Sequence, residues 1–360
     1  MIKRMVVLQM MKKQKMNIIY VFVMIILGSI ILGGQAQAAE GLHTDNGVSC
    51  YEDAQGVNYG FYEDGVSCYV KGYVDNIDSE VKIPSIIVVE GRQYTVTVIE
   101  EKAFYWCDAL TKIELPNTIT AIKKKAFVGT QLKEIEIPNS VMELDATALN
   151  ACTDLTNIII SKDNPKYSSD KQGCVYNKNK TRLIFAVYAV DDVVIPKTVK
   201  VIGEYAFDTT MLKSVKIPNS VKTIETNAFG YCSRLKSANI PNSVKVIEGW
   251  AFEYCDGLEK VTIGKNVTTI GKYAFENCFK LNKVTINSTK LKKIGDGAFQ
   301  KNKNLKNITL KTNKLTKKSV GENVFKGTHK KLVVKVPSKK VNSYKNIFKN
   351  KGNKKLTVTK

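Results

Sequence analysis

Residues 212–234 read LKSVKIPNSVKTIETNAFGYCSR, residues 235–257 read LKSANIPNSVKVIEGWAFEYCDG, and residues 258–280 read LEKVTIGKNVTTIGKYAFENCFK. Three consecutive segments share one 23-residue pattern, and a fixed period of that length marks a chain built by stacking one supersecondary unit on the next. Outward from this stretch, Leu110, Leu132, Leu155, Val190, Leu212, Leu235, Leu258, Leu281 and Leu305 open such units. Degenerate copies start near Asp78 and Lys331, which gives about eleven rungs.

Within one unit, Leu212, Val215 and Ile217 form the L-x-x-V-x-I run of a short strand with its apolar side chains on one face. Pro218 ends it, because proline has no N–H to give a ladder. Val221 and Ile224 make a second inward pair, and Ala228, Phe229 and Cys232 fill the far side of the coil. The expected fold is therefore a β-rich solenoid, a right-handed leucine-rich coil with short parallel strands. One rung buries too little apolar surface to offset the entropy of ordering its own residues, so rungs must cover each other. Stacking places Thr118, Ser140, Thr198, Ser220, Ser243 and Asn266 at one position just past the strand, where short polar side chains are expected to bond the turns as a structural ladder.

The period breaks twice. Between Ile160 and Val190, the turn-rich Asn164-Pro165 and Asn177 to Lys180, with Cys174-Val175-Tyr176 and Leu183-Ile184-Phe185, read as a hairpin inserted at about residues 161–189. Residues 39–77, where Gly47-Val48-Ser49-Cys50-Tyr51 recurs as Gly65-Val66-Ser67-Cys68-Tyr69, read as a strand-rich N-terminal cap. The solenoid is expected over residues 78–336 and a lysine-rich C-terminal cap over 337–360.

Lys3, Arg4, Lys12, Lys13 and Lys15, then an apolar run from Ile18 to Leu32, then Ala36-Gln37-Ala38, have the order of a secretory signal peptide covering residues 1–38. That run has 15 residues, short of the roughly 18 to 20 that cross a bilayer, so the mature chain is expected outside the membrane. Charge is graded along it. Residues 39–115 hold 14 acids against five bases, whereas residues 301–360 hold 19 lysines and one acid, Glu322. Such polarity bears on partners and solubility, not on fold. Five of the eight cysteines, Cys107, Cys152, Cys232, Cys255 and Cys278, follow the repeat, so they are expected buried and free. Cys50 and Cys68 are the expected pair, being in matching segments outside the stack.

The unit L-x-x-V-x-I-P-x-S-V-x-x-I-x-x-x-A-F-x-x-C, with Ala-Phe returning at Ala103, Ala126, Ala206, Ala228, Ala251, Ala274 and Ala298, resembles the BspA-like leucine-rich repeat family of bacterial surface proteins over roughly residues 78–336. Asn164-Pro165-Lys166-Tyr167 and Lys335-Val336-Pro337 with Tyr344-Lys345 also look like features of that family. The resemblance implies a cell-surface or secreted protein that binds host or bacterial partners, in some cases as an adhesin. It implies no shared catalytic residue. No L-P-x-T-G sorting motif is present, which argues against covalent attachment to the cell wall.

Nothing in the motifs points to catalysis. His43 and His329 lie in opposite terminal segments, and no H-E-x-x-H, G-x-S-x-G or phosphate-binding glycine loop occurs. Glu114, Glu134, Glu136 and Asp192 fall on one sheet face, where a glycosidase would need only two acids, but a solvated sheet lacks the pocket that sets two carboxylates apart. No catalytic residue, metal or cofactor is expected, and nucleic acid is not an expected partner, since export removes the usual target and no aromatics interleave the lysines. A secreted or surface-associated binding protein is the expected function, with a glycan-acting enzyme or a passive envelope protein held by its basic C-terminus as alternatives. The lysines carry two readings, solubilising the last cap or contacting an anionic wall polymer. Outward strand positions run Glu114, Glu136, Ile159, Val194, Lys216, Asn239, Thr262 and Thr285. Tyr231, Trp250, Tyr254 and Tyr273, in consecutive rungs beside phased cysteines or Ala-Phe pairs, are the candidate ligand-binding residues for a protein or glycan partner; the competing reading packs them over neighbouring rungs.

Overall fold

Alternating side chains set the first wall of the coil. In the strand Lys260–Ile263, Val261 and Ile263 are buried while Lys260 and Thr262 face water, and the next strand, Lys283–Ile286, pairs with it in parallel at the same repeat positions. The computed structural model describes residues 41–45 and 48–360, and the expected leader at 1–38 lies outside the described residues. From Ser237–Ile240 to Thr357–Thr359 six such strands, five of them in the order Ser237, Lys260, Lys283, Asn307 and Val333, form one hydrogen-bonded sheet. Earlier rungs give the parallel pairs Glu80–Lys82 with Lys112–Glu114, Glu134–Ile137 with Asn157–Ile160, and Asp192–Val194 with Ser214–Lys216. The result is a β-solenoid of about 11 turns with few helices.

A second wall was not read as strand from the sequence. The dipeptides Val201–Ile202, Thr223–Ile224, Val246–Ile247, Thr269–Ile270 and Lys293–Ile294 form their own parallel ladder, one residue of each pair buried and the other towards solvent. On the third side the Ala-Phe turns bond rung to rung through the backbone, Phe229 N–H donating to Ala251 O and Phe252 N–H to Ala274 O at 2.8 Å each. Three ladders thus take up the main-chain polar groups that a coil of turns would otherwise bury unpaired. Inside them Phe207, Phe229, Phe252, Phe275 and Phe299 stack with centroids 5.1, 4.8, 5.1 and 5.5 Å apart. All five are fully buried, so each contributes about 2–3 kcal/mol of burial.

The phased cysteines are buried thiols with a bonding role beyond filling space. Cys232, Cys255 and Cys278 donate to the carbonyls of Phe207, Phe229 and Phe252, one rung back, at 3.0, 3.1 and 3.1 Å. Where the repeat carries Asn302 instead, its amide donates to Phe275 O at 2.7 Å. The expected Cys50–Cys68 bridge is absent: both are thiols. Register explains this, because Cys50 pairs with Gly60 and Cys68 with Phe61, adjacent residues of the strand between them whose side chains leave opposite faces. The polar ladder holds only in part. Ser140 Oγ donates to Ile119 O at 2.6 Å and Asn266 Nδ2 to Asn242 O at 2.7 Å, whereas the buried hydroxyls of Thr118, Ser220 and Ser243 have no hydrogen-bond partner among the described residues.

At the N-terminal end, Val48–Glu52, Val57–Phe61 and Ser67–Tyr73 run antiparallel, and the last pairs in parallel with Arg92–Ile99 to start the second ladder. Between the rungs at Ile160 and Val190 stand three antiparallel strands, Tyr167–Ser169, Cys174–Asn177 and Arg182–Ala186, one more than a hairpin. At the other end the helix Val341–Phe348 buries Tyr344, Ile347 and Phe348, and Tyr344 Oη donates to Thr312 O at 2.8 Å. Thr357–Thr359 then adds a further strand to the first ladder.

Candidate functional site

The four candidate aromatics stand on the third wall, on either side of the buried Ala-Phe pair. Trp250 and Tyr273 precede Ala251 and Ala274; Tyr231 and Tyr254 precede Cys232 and Cys255. Stacking unites them as two pairs in two rows. Tyr231 lies on Tyr254 with centroids 4.8 Å apart and planes 12° apart, and Trp250 lies on Tyr273 at 5.7 Å and 24°. Lys272 Nζ sits 4.2 Å from the Trp250 ring centroid, and the Tyr273 ring continues over Gly297, where an added Cβ would fall 2.4 Å from it. Trp106 covers Gly129 in the same way. The rings therefore do pack over neighbouring rungs: Trp250, Tyr254 and Tyr273 are half-buried, while Tyr231 stays 38% exposed.

Both rows hold a backbone conformation that the sequence reading missed. Trp250, Tyr254, Tyr231 and Tyr273 have φ of 54°, 53°, 56° and 56°, the left-handed region, as do Tyr205 and Trp106 at the equivalent positions. Bulky side chains there are uncommon and strained. The signal was present in part of the repeat: the same two positions carry Asn227, Gly297 and Asn323 in one row and Gly129, Asn277 and Gly327 in the other, the residue types that adopt positive φ most readily, while Lys102, Lys125, Ala151, Thr209 and Lys301 adopt it there without that preference.

Beside the Tyr231–Tyr254 stack runs a column of acids. Glu253 and Glu276 occupy one position in consecutive rungs, Gln300 Nε2 donates to Glu276, and Lys301 Nζ pairs with Glu276 at 2.9 Å. Burial first, and the Glu276 carboxylate second, push Glu253 up to about 7, against the pull of Lys301. Burial, with Glu253 next, likewise pushes the Tyr231 phenol up to about 12. The arrangement sets the partly exposed rings of Tyr231 and Tyr254 beside a carboxyl whose charge is disfavoured by burial and by a neighbouring carboxylate.

The other candidate acids sit elsewhere. Glu114, Glu134 and Glu136 line an open groove of about 940 Å³ on the first wall with Glu80, Lys112 and Lys133, and Asp192 is not part of it. All three are exposed, and Lys82 and Lys112 reach Glu114 at 3.7 and 3.4 Å, so solvent and counter-charge take up the acids there. The expected outward positions Ile159 and Val194 are exposed, at 40% and 59%. No cluster of three or more His, Cys, Asp or Glu fit to hold a metal occurs among the described residues.

A family model described as the BspA type leucine rich repeat region matches in six copies, over residues 91–186, 181–289 and 222–355. The chain belongs to this family. No curated protein matches it in sequence. Among solved structures, this BspA-type chain is similar to a leucine-rich repeat protein of Eubacterium ventriosum, at 21% identity and a TM-score of 0.54 over 76% of this chain and 92% of that one. It is similar also to the pneumococcal vaccine antigen PcpA, at 18% identity and a TM-score of 0.53 over 89% and 99% of the two chains. These likenesses show the fold of the BspA-type solenoid. No helix among its described residues is long and apolar enough to cross a membrane.

Proposed function

We propose that this BspA-type chain is an exported, surface-associated binding protein that docks a protein partner through the aromatic rows Tyr231–Tyr254 and Trp250–Tyr273. One observation carries the reading: four large aromatic side chains stand as two stacked pairs on the third wall, and they remain partly exposed. Rigid aromatics bring contact area at low entropic cost, and a protein surface offers more of the flat apolar area they need than a single sugar ring does. The family and the leader-like segment support export. Catalysis has no support from an enclosed site, and the exposed lysines of residues 301–360 support a second, charge-driven contact with anionic wall polymer.

The test is retention on immobilised extracellular-matrix proteins and on purified bacterial cell walls, comparing the wild type with the fourfold variant Tyr231→Asn, Trp250→Asn, Tyr254→Asn and Tyr273→Asn. Asparagine keeps the left-handed backbone while deleting the rings. Loss of retention by tenfold or more, with a thermal midpoint within about 5 °C of wild type, is the expected result. Unchanged retention, or a much larger fall in the midpoint, would remove these rings from the binding surface.

A further inference from the structure

One turn in the segment between Ile160 and Val190 repeats a turn of the N-terminal cap bond for bond. In the cap, Asp53 Oδ1 accepts from Gln55 N–H and Val57 N–H, both at 3.0 Å, and Tyr59 Oη donates to Asp53 Oδ2 at 2.9 Å. In the insert, Asp170 Oδ1 accepts from Gln172 N–H and Cys174 N–H at 2.9 and 3.2 Å, and Tyr176 Oη donates to Asp170 Oδ2 at 2.8 Å. Both turns use a left-handed glycine, Gly56 and Gly173, against a valine of the returning chain, Val74 and Val187. The shared signature is D-x-Q-G-x-x-Y.

Each glutamine then does the same task. Gln55 Nε2 donates to Lys82 O at 3.0 Å and Gln55 Oε1 accepts from Lys82 N–H at 2.8 Å; Gln172 makes the same two bonds to Val194, at 3.2 and 3.0 Å. A side-chain amide thus closes the free edge of the strand Glu80–Lys82 and, again, of Asp192–Val194. Covering the first edge of a stack is what a solenoid cap is for.

The ladders agree. The second ladder, continuous elsewhere, stops at Glu143–Leu144 and restarts from Tyr167–Ser169; the first wall is unpaired here too, as it also is between Lys112–Glu114 and Glu134–Ile137 and between Ser214–Lys216 and Ser237–Ile240. Apart from side-chain bonds, Ser161 N–H to Ile137 O is the one backbone link across this line among the described residues. Charge changes sign there too: residues 41–160 hold 18 acids and 9 bases, residues 161–360 hold 14 acids and 41 bases.

We propose that residues 161–360 form a second, self-capped solenoid joined end to end to the first, so that the chain opens in two separate cooperative steps parted at Ile160. The site proposed above lies wholly in the second unit. Hydrogen exchange of the full chain along a urea series tests this, with Asp53→Ala and Asp170→Ala as paired variants. Asp170→Ala should speed exchange in residues 195–310 by tenfold or more and in residues 95–160 by less than twofold, and Asp53→Ala should do the reverse. If Asp170→Ala unfolds the second unit outright, protection that persists in the first still supports the proposal. The milder Gln172→Met, which deletes only the edge-closing amide, should show the same selectivity. Equal acceleration on both sides of Ile160 in either variant would overturn it.

Discussion

Replacing Glu253 with Gln should leave stability nearly unchanged at pH 5 and raise it at pH 8.5. The carboxyl is held at about 7 in the fold against 4.5 ordinarily, because burial and Glu276 disfavour its charge. Below 4.5 both folded and unfolded forms carry the proton and the site costs nothing. As pH rises towards and through 7, the unfolded chain ionises freely while the folded chain must ionise beside Glu276, so stability is lost over that window. At 1.36 kcal/mol per pH unit the full effect would be about 3 kcal/mol. Part of the side chain faces water, and solvent screening reduces this to about 1–2 kcal/mol. The amide of Gln carries no charge and can still donate to Glu276, so the variant escapes the loss. Glu276 and Lys301 on the following rungs and Tyr231 beside it face this carboxyl, and none of them changes in the variant. Urea titrations at the two pH values, followed by far-UV dichroism, measure the difference. A variant equally displaced from wild type at both pH values, or less stable at pH 8.5, would refute the reasoning.

Three other outcomes are expected. Cys255→Ala should cost about 2 kcal/mol in urea unfolding, from the residual cavity and the thiol bond to Phe229 O, while Cys255→Thr should cost less, since Thr130 and Thr210 stand at the same repeat position. Ser243→Ala should be neutral or stabilising because its buried hydroxyl has no partner, whereas Ser140→Ala should cost about 1 kcal/mol by the same assay. Changing the exposed Lys339, Lys345, Lys349, Lys354 and Lys355 to Gln should weaken retention on anionic wall polymer at low salt, with both proteins converging at high salt where the Debye length is about 3 Å. Deleting residues 338–360 would be a poor substitute, since it strips buried Tyr344 and Phe348 from the last rungs.

Periodic features were legible from the sequence because each is stated many times over: the alternating strand, the buried Ala-Phe pair and the buried phased cysteines recur in rung after rung. The two-residue second ladder was not, since Thr223–Ile224 is too short to show an alternation and pairs only because the neighbouring rungs place Val201 and Val246 beside it. The Cys50–Cys68 expectation failed on register, which matching local segments do not reveal. Site geometry was legible by half. Spacing placed the four aromatics in rows, but the division into two stacked pairs and the left-handed backbone depend on dihedrals that only the Asn and Gly at sister positions announce. The recurrence of Asp-x-Gln-Gly-x-x-Tyr, stated twice only, stayed below the louder 23-residue period.

The row that contains Tyr231 and Tyr254 runs Trp106, Gly129, Ala151, Thr209, Tyr231, Tyr254, Asn277, Lys301 and Gly327, all at positive φ. Nine rungs present indole, hydrogen, methyl, hydroxyl, phenol, amide and ammonium from one unchanged backbone path, because rung-to-rung bonds, not side chains, hold that path in place. Such a wall can be rewritten one letter at a time. A substitution in this row alters what one rung offers to its surroundings without rerouting the backbone, and where a neighbouring ring lies over the position, as Trp106 lies over Gly129, that ring must shift as well.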